Sequence, residues 1–100
     1  MDHYLKTIPP FFDHVLKRWK TFEYRRNDRA YEIDDWLYLE EYISDDSGMG
    51  DGIYSGRCLK ARIKYVLKNF PNLPENYCIL GLTDITEVIG RRRPAKIRSL

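Results

Sequence analysis

The sequence predicts an α+β domain built on a small, partly closed, mostly antiparallel β-barrel with one main helix. Three observations predict it. A single stretch has helical apolar spacing, several stretches alternate with period two, and turn-rich segments separate them. One hundred residues with 43% hydrophobic and 14% aromatic content suffice for one ordinary core and leave no room for a second domain. We therefore expect one domain over residues 1–89 and a basic, flexible tail over 90–100.

Residues 3–7 alternate weakly and then meet Thr7-Ile8-Pro9-Pro10, a helix entrance, because the first-turn N–H groups have no intrahelical partner and proline lacks one. The apolar positions 11, 12, 15, 16 and 19 follow helical spacing. They predict an amphipathic helix of about two to three turns, docked by its Phe/Val/Leu/Trp face. At Lys20 the period changes to two, which puts Thr21, Glu23 and Arg25 on one side of a strand and Phe22, Tyr24 and Arg26 on the other. Asn27-Asp28-Arg29 reads as a turn.

Residues 36–43 form a second strand rich in aromatic and aliphatic side chains, and the Ser/Asp/Gly-rich residues 44–52 form a loop to an antiparallel partner. That partner, residues 54–68, alternates most clearly. Leu59, Ala61, Ile63, Tyr65 and Leu67 are expected inside, with Lys60, Arg62, Lys64 and Lys68 in water. Its length suggests a strand bent around a barrel. Residues 70–76 are a turn-rich connection. Residues 77–82 read as a central strand covered on both faces, and 84–89 as a helical turn.

No apolar run approaches the ~20 residues of a membrane span, and the N-terminus lacks a signal-peptide pattern. We expect a cytoplasmic protein without membrane partners. Cys58 and Cys78 are too few for a disulfide framework and lie in apparent strand interiors, so reduced, inert thiols are expected. Neither they nor His3 and His14 have a paired-ligand spacing, so no metal and no cofactor is expected. The acidic loop at 45–52 fails the EF-hand pattern, because Arg57 stands where its last glutamate belongs. The formal charge of +2 conceals an asymmetry, since Arg91, Arg92, Arg93, Lys96 and Arg98 crowd the tail. Without them twelve basic residues face fifteen acidic ones, so any nucleic-acid contact should be focal.

The segment Lys20-Thr21-Phe22-Glu23-Tyr24-Arg25-Arg26-Asn27-Asp28-Arg29 resembles the signature of small ASCH (activating signal cointegrator homology) superfamily domains, in which G-x-K-x-x-E-x-R follows the first helix. Small bacterial and phage proteins of unknown function carry its extended form, K-T-F-E-x-R-x-N-D-R. The likeness continues in His3-x-Leu5-Lys6, Pro10-Phe11-Phe12, Leu39-Glu40-Glu41-Tyr42, Tyr54-Ser55-Gly56-Arg57 and Tyr77-Cys78-Ile79-Leu80-Gly81-Leu82, and so covers residues 3–82. Arg18 and Asp34 stand where the family usually has glycine, which marks two turns that use glycine's backbone freedom.

The resemblance implies a PUA-like barrel whose cleft, lined by Lys20, Glu23 and Arg25 with help from Thr21, Asn27 and Arg29, takes single-stranded RNA or a nucleotide. Arg25 or Arg29 suits a phosphate, Lys20 supplies a point charge, and Glu23 suits an exocyclic amine. Phe22, Tyr24, Tyr31 and Trp36 would stack on an unpaired base wherever they face outward. His3, Ser55 and Arg57 are placed at the cleft rim, and Arg91, Arg92 and Arg93 offer phosphate contacts. The bland alternative is that Glu23 and Arg25 are paired strand-surface charges and the aromatics are core.

Two other functions compete with binding. One ASCH branch acts on acetylated cytidine through G-x-K-T-x-T-x-R, but Glu23 replaces the second Thr, and a carboxylate does not serve as that hydroxyl acyl acceptor. A Lys20/Glu23 pair acting as general acid and base would be a different hydrolase. The other competitor is an accessory protein that binds another protein. We expect binding rather than catalysis and assign no catalytic residue.

Overall fold

The computed structural model of the chain describes residues 1–44 and 52–89. Residues 45–51, in the stretch expected to be a loop, and residues 90–100, with Arg91, Arg92 and Arg93, lie outside the described residues. The elements are β1 (Asp2–Thr7), α1 (Phe11–Leu16), β2 (Phe22–Arg26), β3 (Trp36–Ile43), β4 (Ile53–Leu67) and β5 (Tyr77–Glu87). The five strands form one curled sheet, a half-barrel, in the order β1-β3-β4-β5-β2. Only β1 and β3 run parallel. A parallel neighbour needs a crossover, and α1 with β2 supplies it.

The inner face carries the core. Leu5, Leu37, Leu39, Leu59, Ile63 and Leu80 point inward from four strands and close on Phe12 and Val15 of the helix. Phe12 is wholly buried, so truncating it to alanine would cost about 3–5 kcal/mol.

The helix is shorter than its apolar spacing suggests. It stops at Leu16 because Arg18 takes the left-handed conformation at φ 62. The Arg18 N–H donates to Val15 O and the Trp19 N–H to His14 O, both at 2.9 Å, the two bonds of a Schellman cap. Trp19 is therefore carried off the core and is 71% exposed, and Phe11 also stays half exposed. Asp34, the second position where glycine was expected, likewise sits at φ 78.

Bulges account for the other departures. Between Ile63 and Tyr65 the pairing of β4 with β5 slips by one residue, which reverses the alternation. Tyr65 consequently points outward, while Val66 packs on the core. Of the expected helical turn at 84–89, residues 84–87 are instead a continuation of β5, which ends at Glu87. Asp84 at φ 53 absorbs an irregularity, and pairing resumes at Lys60 with Thr86 and Leu59 with Glu87. β5 does lie between two strands, but Cys78, Leu80 and Leu82 are buried while Tyr77, Ile79 and Gly81 are only partly covered. It is therefore not enclosed on both faces.

Candidate functional site

β1 and β2 are the two edges of the sheet, and their free edges face each other across an open seam. Side chains rather than a backbone ladder bridge it. Arg25 Nη2 donates to Thr7 Oγ1 at 3.2 Å, and Arg29 Nη1 donates to Tyr4 O at 3.0 Å. A cleft of about 490 Å³ opens along this seam, lined by Lys6, Thr7, Ile8, Phe11, Lys20, Phe22, Glu23, Tyr24 and Arg25. A smaller cavity of about 130 Å³, lined by Leu5, Arg25, Arg26, Asp28, Arg29 and Tyr31, shares Arg25 with the cleft.

The cleft is organised around Glu23, which is only 2% exposed. Period-two alternation in β2 turns Glu23 and Arg25 inward and leaves Phe22 and Tyr24 outside, about half exposed. Arg25 donates from Nε (2.9 Å) and Nη2 (2.6 Å) to Glu23 Oε1. Lys20 Nζ donates to Glu23 Oε2 at 2.8 Å and to Phe22 O at 2.7 Å. Such a carboxylate is tolerated inside because both oxygens meet cations. Lys20 Nζ also stands 4.8 Å from the Phe22 ring centre and 5.8 Å from that of Phe11. The site thus joins a buried anion, two partly covered cations and three half-exposed rings, of which Tyr24 stacks on Tyr77 with ring centres 5.0 Å apart.

The remaining residues singled out in the sequence fall in several places. Thr21 is exposed and lines neither cavity, although its carbonyl accepts from Leu82 N–H at 3.0 Å. Asn27 holds the turn through its N–H to Asn76 O at 2.8 Å and also lines neither. Arg29 lines the smaller cavity. Tyr31, there too, is buried, and burial raises its hydroxyl above the ordinary value against the opposing pull of Arg29 and Arg25. Trp36 lies on β3 away from the cleft, with Lys60 and Arg62 against its ring.

His3, Ser55 and Arg57 line neither cavity. His3 is buried, edge-on to Tyr31, with Nε2 2.8 Å from Asp35 Oδ2. Burial disfavours the charged Asp35 carboxylate, but the hydrogen bonds from His3, the Glu32 N–H and the Met1 amino group outweigh it. They hold the group below its ordinary value. Ser55 and Arg57 flank Gly56, whose φ of 97 marks the bulge in β4 opposite Glu40 and Tyr42. Ser55 Oγ donates to Glu41 Oε1 at 2.7 Å. Arg57 Nη2 donates to Asp13 Oδ1 at 3.2 Å, and its Nη1 lies 3.5 Å from Glu41 Oε1. This second polar cluster ties β3 and β4 to α1. Lys6, Thr7, Ile8 and Phe11 join the cleft although none was singled out as a site residue; Lys6 and Phe11 fall in the family-like segments His3-x-Leu5-Lys6 and Pro10-Phe11-Phe12. Thr7, a polar residue, falls in phase with Leu5 on the buried side of β1.

Residues 2–82 match the family model described as Domain of unknown function (DUF3850). The chain belongs to this family. A DUF3850 match over that range includes every residue lining the two cavities. The chain is also similar to the "Uncharacterized 12.9 kDa protein in GpA 3'region" of Escherichia phage P2. The two are 35% identical over 78 residues, 78% of this chain and 64% of that protein. The chain therefore spans less than two thirds of the relative's length. Among the described residues, no helix is long and apolar enough to cross a membrane.

Proposed function

We propose that this DUF3850 domain is a PUA-like barrel of the ASCH type and that its seam cleft binds one unpaired nucleotide, within single-stranded RNA or free. The observation that carries this reading is the meeting, in one cleft of about 490 Å³, of exposed Phe11, Phe22 and Tyr24 with buried Glu23 and its cations. Clefts of ~300–1,000 Å³ suit small ligands. Rings with a free face stack on any base. Glu23 Oε1 takes two donors from Arg25 and Oε2 one from Lys20, so Oε2 keeps a lone pair to accept from an exocyclic amine, while Lys20 and Arg25 balance an anionic ligand.

The test is an amide NMR titration with short single-stranded RNA at moderate salt, repeated on Lys20→Ala and Phe22→Ala. Saturable shifts at residues 6–11 and 20–25 that weaken in both variants are expected. Shifts confined to 91–98, or none, would overturn the reading. Release of acetate from acetylated cytidine, abolished in Lys20→Ala, would instead make the cleft an active site.

A further inference from the structure

The smaller cavity has a different chemistry from the cleft beside it. Three of its six lining residues are arginines, Arg25, Arg26 and Arg29, against one acid, Asp28. Their donors are only partly used. Arg25 commits Nε and Nη2 to Glu23 and Thr7, and its Nη1 has no hydrogen bond among the described residues. Arg29 commits Nη1 to Tyr4 O and keeps Nε a loose 3.9 Å from Asp28, leaving Nη2 uncommitted among the described residues. Arg26 packs its guanidinium 5.5 Å from the Tyr77 ring centre and has no ion pair among the described residues. At about 130 Å³ the cavity has room for roughly four waters at ~30 Å³ each. That accommodates a tetrahedral group of five heavy atoms.

We infer that this cavity is a phosphate seat, and that the ligand of the seam is a nucleotide whose base lies in the larger cleft and whose phosphate lies beyond Arg25, facing Arg26 and Arg29. The inference rests on the function proposed above and deepens it, giving the nucleotide's phosphate a seat of its own and favouring a terminal phosphate. Arg25 lines both cavities, so one side chain orders the two halves of the ligand. Arg25 is paired with Glu23, but across the two cavities five cations (Lys6, Lys20, Arg25, Arg26, Arg29) face two anions (Glu23, Asp28), a surplus that matches a phosphomonoester at about −1.5 to −2 better than a singly charged phosphodiester. Arginine forks suit its three terminal oxygens. A terminal phosphate is thus preferred to an internal one.

The full chain is titrated by amide NMR with inorganic phosphate, adenosine, adenosine 5′-monophosphate and an unphosphorylated diadenosine with one internal phosphodiester. Inorganic phosphate is expected to shift residues 25–31. The monophosphate should bind about tenfold more tightly than adenosine, with the dinucleotide between them. Arg29→Gln should remove most of that preference, and Asp28→Asn, which deletes the single acid, should increase it. Equal binding of adenosine and its monophosphate, with shifts at 20–25 retained, would overturn the phosphate seat and leave the base cleft standing. If neither nucleoside nor nucleotide binds, the cleft reading fails. Inorganic phosphate then decides the seat alone, which stands if residues 25–31 shift and falls if they do not.

Discussion

Arg25 on β2 donates to Thr7 on β1 across 3.2 Å, joining the two edge strands of a sheet that never closes into a full barrel. The same guanidinium holds Glu23 Oε1 through two bonds. It therefore ties the seam and fixes the buried carboxylate at once. Arg25→Lys retains the charge but not the fork, and should lose about 1–3 kcal/mol in urea denaturation. Thr7→Val should lose less, about 1 kcal/mol, because Glu23 still satisfies Arg25. A double-mutant cycle is expected to give a coupling of about 0.5 kcal/mol or more; strictly additive losses would mean that the bridge does not hold the seam.

The extent of this arrangement that can be read from the sequence follows from which interactions are local. Period two in residues 22–26 suffices to place Glu23 and Arg25 on one face, and Lys20, three residues from Glu23, falls within reach. Thr7 lies eighteen residues from Arg25, and only the curl of the sheet brings them together. The His3 to Asp35 contact was equally hidden, since it depends on parallel pairing of His3 with Leu37 and Asp2 with Trp36. Alternation predicts the burial of Leu59, Ala61 and Ile63, yet it fails at Tyr65, where one extra residue reverses the phase. Helical spacing likewise included Trp19, because it carries no sign that Arg18 would adopt the left-handed cap that ends α1.

Asp35 should shape the acid limb of stability. Its folded value lies below the ordinary value of 3.8, so between the two the unfolded chain binds more protons than the native one. Stability then rises with pH. The contribution is complete above the unfolded value and is lost as pH falls through the folded one. Asp35→Asn should cost about 1–3 kcal/mol at neutral pH, and the gap from the parent should narrow below about pH 4. A gap of constant size down to pH 2.5 would show that the carboxylate's charge is not what His3, Glu32 and Met1 recognise.

The two thiols should report on global unfolding. Cys58 and Cys78 are both buried in the sheet, and burial pushes the Cys78 thiol above its ordinary value, so it remains protonated and screened from reagent. At pH 8, Ellman's reagent should leave both untouched in the native protein and titrate both in denaturant. In intermediate urea, labelling should track the unfolded population. Fast labelling of Cys78 in native buffer would mean that β5 opens locally, on the flank where it pairs with the edge strand β2.

Asp34 and Arg18 both occupy the left-handed region, but they should respond to glycine differently. Asp34 has φ 78, a side chain 76% exposed and a weak 3.9 Å approach to Arg62, while its N–H donates to Ile63 O at 2.7 Å whatever the side chain. Glycine there removes a conformational cost of about 1–2 kcal/mol and returns about 0.5–1 kcal/mol as extra freedom of the unfolded chain. Asp34→Gly should thus stabilise by up to about 1 kcal/mol in thermal or urea denaturation, whereas β-branched Asp34→Val should cost about 1 kcal/mol or more. Arg18→Gly gains the same backbone relief but deletes the guanidinium that donates to Leu16 O and Ile85 O and so anchors the helix end to β5. Its net effect should be close to zero or destabilising. A clear stabilisation by Arg18→Gly would show that this anchor contributes nothing to folding.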